Sequence, residues 1–221
     1  MPAALLASAC YADNLLACLP SGAPRQIADV EFPNTLQARK KIQMDYDKPI
    51  RRIVTTHDAS GKAVFLSDGP AQKVGQPGRP VNWPMWVLDT IPAKCSGTED
   101  FAAKVKGIHP DPGSTLFRVV DFPPISPDFQ KDNPRFFIEL EGLQEVAAKS
   151  RPPRHPRMHR TRSVDFGLVL AGEIDLMLDE ETTHLTAGDV VVMQATNHAW
   201  INHGTEPCRI AFILVDAEDP L

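Results

Sequence analysis

No stretch of this chain is long and apolar enough to span a bilayer, so a membrane-spanning helix is not expected. No run of Lys and Arg gathers along a face, and the formal charge is −5, so nucleic acid is not expected as a partner. The one basic stretch, Arg151-Pro-Pro-Arg154-His-Pro-Arg157, is short and broken by proline. It reads as a solvated loop rather than an anion-binding lip. Cysteine is scarce. Cys10, Cys18, Cys95 and Cys208 show neither C-x-x-C spacing nor a zinc-like pairing, and they read as reduced, mostly buried thiols of a cytoplasmic protein. No internal repeat or low-complexity segment stands out. The apolar start, MPAALLASACYADNLLACLP, has no positively charged opening and is interrupted by Asp13-Asn14. It reads as a short amphipathic helix over 3–19, stopped by Pro20 and Gly22, and not as a secretion signal.

What the chain does have is enough apolar residue for a core. With 221 residues, 43% of them hydrophobic, it suits one domain with decoration and needs neither disulfides nor a structural metal to hold it. Residues 1–48 read as an N-terminal extension or arm and 49–221 as the domain. Within that domain, 125–154 reads as an insertion and 155–216 as the core.

Short strands punctuated by turns dominate. Arg51–Thr56 and Ala63–Leu66 alternate around the turn Asp58-Ala-Ser-Gly61 and read as a hairpin. Residues 67–84 are rich in Gly and Pro and read as a loop. Trp86–Thr90 and Leu116–Phe122 read as strands, with a short helix around Phe101–Val105. Further strands are expected at 157–162, 164–171, 173–178, 189–193, 198–202 and 208–215. The last is nearly all apolar and should be buried. This pattern argues an all-β barrel or jelly roll rather than an α/β fold.

Two stretches carry the chemistry. In the first, His159-Arg-Thr161 is followed by Asp165 and then Gly172. In the second, Gly188 precedes His198-x3-Asn202. Together these resemble the two motifs of the cupin family, H-x-H…E…G and G…P-x-G…H-x3-N. The likeness covers about the last third of the chain. Thr161 stands where the family has its second His, and Asp165 where it has Glu. Met193 and Ala195 stand at the Pro and Gly, one residue closer to Gly188 than usual. The resemblance implies a double-stranded β-helix in which His159, Asp165 and His198 converge in the barrel mouth, with Thr161 beside them. It also implies a homodimer, with residues 1–45 as a candidate crossing arm.

Two imidazoles and a carboxylate form a reasonable three-ligand set for one divalent metal, Fe, Mn or Zn. The competing reading is metal-free. One His is then a general base, Asp165 sets its tautomer, and Thr161 and Asn202 donate hydrogen bonds to a carbonyl or enolate. Trp200 shares parity with His198 and reads as pocket lining or core. Trp86 reads as an aromatic wall over a small-molecule substrate or as core. The functional expectation is a small-molecule lyase or isomerase of secondary metabolism acting on a carbonyl- or carboxylate-bearing substrate. An Fe(II)-dependent dioxygenase and a non-catalytic binding protein are the alternatives.

Overall fold

The structure is a computed structural model that describes residues 44–75, 79–94, 99–105, 107–125 and 154–218. The expected helix at 3–19, the arm up to residue 43, Cys10, Cys18, Cys95 and the bulk of the 125–154 insertion lie outside the described residues. From Gln43 onward the chain forms one compact unit.

The described residues form ten strands: β1 (Arg51–His57), β2 (Ala63–Pro70), β3 (Val81–Leu88), β4 (Thr115–Phe122), β5 (Ser163–Ala171), β6 (Glu173–Met177), β7 (Thr182–Thr186), β8 (Val190–Gln194), β9 (Ala199–Ile201) and β10 (Cys208–Asp216). A single 3-10 turn, Phe101–Lys104, is the helical element among the described residues, and Asp100 caps it by accepting from the Ala102 N–H. No helix among these residues is long and apolar enough to cross a membrane. The fold is all-β, with strands in the order β3-β4-β10-β5-β8 in one antiparallel sheet and β7-β6-β9 in a second. β1 and β2 form a separate hairpin.

Alternation along the strands builds the core. On β4, Leu116, Val120 and Phe122 point inward; on β10, Cys208, Ile210, Phe212 and Leu214 do so. They meet Ile174 and Leu176 of β6 and Trp200 of β9 from the second sheet. Cys208 is a buried free thiol, and burial pushes its pKa up to about 12, which keeps it protonated. Gly172 turns β5 into β6 at φ +78°, and a Cβ there would lie 2.7 Å from the Pro207 carbonyl oxygen. Only glycine fits this close approach.

Three expectations change. The stretch 157–162 is not a strand: its backbone turns, and only His159 makes an isolated bridge, to His198. Prolines at 152, 153 and 156 just before it disfavour a continuous ladder. The 67–84 loop is shorter than expected, because β2 runs to Pro70 and β3 starts at Val81. Finally, β10 is not buried throughout: Ile213 on its outer face remains 44% exposed.

Candidate functional site

Backbone pairing brings the two histidines together. The His159 N–H donates to the His198 carbonyl and the His198 N–H to the His159 carbonyl, both at 2.8 Å. Residues paired in this way present their side chains to the same face. The two rings accordingly lie with centroids 4.5 Å apart, tilted by 52°. Each Nδ1 faces a backbone carbonyl, of Arg157 at 2.8 Å for His159 and of Thr196 at 2.9 Å for His198. A carbonyl only accepts, so each Nδ1 carries the proton and each Nε2 keeps its lone pair.

Burial holds both rings neutral. It is the main cause that lowers His159 to about 3, with the neighbouring His198 next. It likewise lowers His198 to about 4. The positive charge of Arg118 adds to the lowering in both cases.

Asp165 sits nearby on β5 but answers to different partners. Thr161 donates its hydroxyl to Oδ2 at 3.0 Å, and Ser163 donates to Oδ1 at 2.5 Å. Desolvation raises the Asp165 pKa against the lowering effect of these hydroxyls, of Arg118 and of His109. Among the described residues, no group of three or more His, Cys, Asp or Glu side chains is arranged to hold a metal ion. His159, Asp165 and His198 thus do not form such a group. Two imidazoles face each other, while both carboxylate oxygens are engaged by hydroxyls.

Asn202 is placed elsewhere in function. Its amide donates to the carbonyls of Phe122 (2.8 Å) and Glu206 (2.9 Å), and its Oδ1 accepts from the Gly204 N–H. These bonds pin the β9–β10 connection to the end of β4, so the amide expected to serve a substrate carbonyl is taken up by backbone. Trp200 does reach the pair: its ring meets His198 edge-on at 5.9 Å and continues into Phe122 and Phe212. It packs against the His198 ring and belongs to the core at once. Trp86 is not brought here. Register places it opposite Phe117, on the outer face of the sheet with Trp83 and Val119. A bulge between Pro84 and Trp86 resets the alternation, so Val87 is the residue that turns to the core.

Three residues escaped the sequence reading as members of the site. Arg118 is 8% exposed on the inward face of β4, with its guanidinium carbon 5.7 Å from the Phe212 ring centre. Its parity with Leu116, Val120 and Phe122 is the signal: a cation at a core position of an apolar strand. Ser163 shares parity with Thr161 and Asp165. His109, in an irregular segment, carries no pattern at all.

Ala195 stands where the cupin motif has glycine, and its φ is +51°. The turn keeps the left-handed geometry without the residue that favours it. The Ala195 N–H donates to the Ser163 carbonyl at 3.0 Å, which ties this strained turn to the Asp165 cradle.

The chain is similar to several known proteins. A family model described as "Cupin domain" matches residues 142–215. The phomopsin biosynthesis cluster protein C' of Diaporthe leptostromiformis is 34% identical over 179 residues, 76% of this chain and 78% of that protein. The cupin-domain-containing oxidoreductase fogC of Aspergillus ruber is 29% identical, over 76% of this chain and 73% of its own length. Among solved structures, the Schizosaccharomyces pombe Cnp3 cupin domain aligns with 10% identity and a TM-score of 0.37, covering 75% of this chain and 87% of that one.

Proposed function

The chain belongs to the cupin family, and from that premise we propose that it is an enzyme of secondary metabolism that moves a proton on a carboxylate-bearing carbonyl metabolite inside its barrel. The observation that supports this reading is the pair of neutral imidazoles, each locked by its Nδ1–H to a backbone carbonyl and each offering an Nε2 lone pair. Locking the tautomer and the ring prepares a base without reorganisation at the moment of reaction. The biosynthesis-cluster names of the relatives agree with a small-molecule substrate.

Charge supplies the switch. In the free barrel Arg118 and burial keep both histidines too weakly basic to work. A substrate carboxylate beside Arg118 neutralises that cation and places negative charge near the rings, which raises their affinity for a proton. One Nε2 then takes the α-proton, and the electron pair moves onto the carbonyl oxygen as an enolate. The second ring does not protonate beside the first, because two imidazolium ions at this spacing repel. The proton returns to a different carbon in an isomerisation. In a dehydration it leaves with a β-hydroxyl as water.

The test is hydrogen exchange. The purified protein is incubated without oxygen in D2O with a panel of small carboxylate-bearing carbonyl compounds. Mass gain of one deuterium, or loss of water, is expected, and it falls at least ~100-fold in His159→Ala and His198→Ala.

A second reading follows from the relatives named cupin-domain-containing oxidoreductases. It requires an electron acceptor. Conversion that needs oxygen or another acceptor and removes two hydrogens would replace the proton-transfer reading.

A further inference from the structure

On β3, Trp83 and Met85 pack outward with Val119 of β4 in one apolar cluster. Register sets Asn82 opposite Val120 and Pro84 opposite Arg118, and Val120 belongs to the core between the two sheets. Asn82 is thus an amide on the inward face of a largely apolar strand, where a hydrophobic residue is the ordinary choice. Its backbone is paired: the N–H donates to the Val74 carbonyl at 2.7 Å, and the carbonyl accepts from the Val74 N–H at 2.8 Å. Its side chain is different. Oδ1 is buried, and no donor among the described residues reaches it. The neighbours on that face give the reason. The side chains of Val120 and Pro84 carry no donor, nor does Ile210 on the far side of Val120. Burying an acceptor without a donor costs the desolvation of that atom, so a valine here would hold the strand better. A residue kept at the expense of stability is the mark of a position shaped by binding rather than by folding.

We propose that Asn82 is a specificity-determining residue, whose Oδ1 accepts a hydrogen bond from an O–H or N–H of the substrate. The inference rests on the reading that a substrate carboxylate lies beside Arg118, and it narrows that substrate to a carbonyl acid that also carries a donor. Asn82 and Arg118 are diagonal neighbours on the inward face, roughly 7–8 Å apart by sheet geometry. Val120 and Pro84 complete the square with apolar side chains, so a small molecule spans the two polar groups across an apolar step. The chemistry then fixes the orientation. A guanidinium only donates, so it takes the carboxylate; an amide oxygen only accepts, so it takes the hydroxyl, amine or amide N–H. A second carboxylate or carbonyl at Asn82 Oδ1 is repelled. β3 is the edge strand of its sheet, and the last torsion of an asparagine is broad, so a small turn of the amide presents Oδ1 to a ligand. The other face of β3 shows the contrast. There the Trp83 indole N–H donates to Asp121 Oδ2 at 2.9 Å, a polar atom matched within the chain.

Matched pairs of compounds that differ by one hydroxyl test this on the full chain: pyruvate against hydroxypyruvate, and phenylpyruvate against para-hydroxyphenylpyruvate, each titrated by calorimetry. The hydroxylated member of at least one pair is expected to bind the wild type at least ~10-fold tighter. Asn82→Val and Asn82→Ala are expected to remove that preference and to leave the affinity for the plain member unchanged. Thermal unfolding without any compound is expected to find Asn82→Val at least as stable as the wild type. The proposal is overturned by equal binding of both members to the wild type, which would mean that water serves the amide. It is also overturned by binding of none of the four compounds, or by a preference that survives both substitutions. A lower unfolding midpoint for Asn82→Val overturns it as well, because the chain itself would then supply the donor. Deuterium exchange into the same compounds keeps the two readings apart. Preference without exchange supports the role of Asn82 and removes the proton-transfer reading, and exchange without preference does the reverse.

Discussion

Asp121 and Asp165 are both buried carboxylates on neighbouring faces of one sheet, and they live by opposite rules. Asp121 accepts two bonds from Arg209, at 2.5 and 2.8 Å, and one from the Trp83 indole at 2.9 Å. Tyr46 lies over the same guanidinium, 5.2 Å from ring centre to guanidinium carbon. This is a charge matched by a charge, and it ties β3, β4 and β10 together. Asp165 is held by two neutral hydroxyls and carries a raised pKa from desolvation. The difference is one of partners: a guanidinium and an indole for Asp121, two hydroxyls for Asp165. A buried ion with a fixed counter-ion is part of the frame.

Breaking the ion pair has the largest expected effect. Asp121→Ala leaves the Arg209 guanidinium and the Trp83 N–H buried without their acceptor and costs about 3–5 kcal/mol, read from denaturant unfolding. Replacing Arg209 by Met in the same chain recovers most of that loss, because the stranded charge is gone.

The histidines next to Asp165 give the second effect. Their folded pKa values, about 3 and about 4, lie below the unfolded value of 6.5. The unfolded chain therefore binds protons that the folded one refuses. Stability from this source is complete above pH 6.5 and falls as pH drops toward 4, by about 1.4 kcal/mol per pH unit for each imidazole. A His159→Gln, His198→Gln variant should show a flatter pH dependence across that window in thermal unfolding.

Asp165→Asn comes third and has the opposite sign. A raised carboxylate pKa favours the folded state below the unfolded value of 3.8 and costs stability once pH rises through the folded value. Making the side chain neutral should leave stability at pH 7 unchanged or higher by about 1 kcal/mol. A large loss would instead class Asp165 with Asp121.

The smallest effect is expected from Ala195→Gly. It relieves a positive φ in the turn that holds Ser163 against Asp165 and should stabilise by about 1 kcal/mol. The Asp165 titration, followed by carbon NMR, should not move.

Much of the fold was legible because strand alternation and turn residues are local signals. The hairpin at 51–70, the β4 strand and the run from Ser163 to Ala171 emerge from period-two patterning alone. The cupin motif positions singled out His159, His198, Thr161 and Asp165; the two histidines bridge each other and Thr161 bonds Asp165. Their grouping was less legible. Asn202 kept its motif spacing but serves the β9–β10 backbone, and spacing does not tell a substrate contact from a loop clamp. Trp86 failed for a different reason: a bulge at Pro84 to Trp86 flips every later side chain, and a one-residue slip leaves no mark on composition.

By itself the sequence determined an all-β chain with two histidines and an aspartate at cupin positions, since periodicity and motif spacing are written along one dimension. Only the tertiary structure decided which groups face one another. It paired His159 with His198 through a single bridge, gave Asp165 to Thr161 and Ser163, and put Arg118 inside the barrel. It also left Ile213 of β10 44% exposed, where the sequence alone read the whole strand as buried. Those choices depend on register between strands far apart in the chain, and register is fixed by packing rather than by any local pattern.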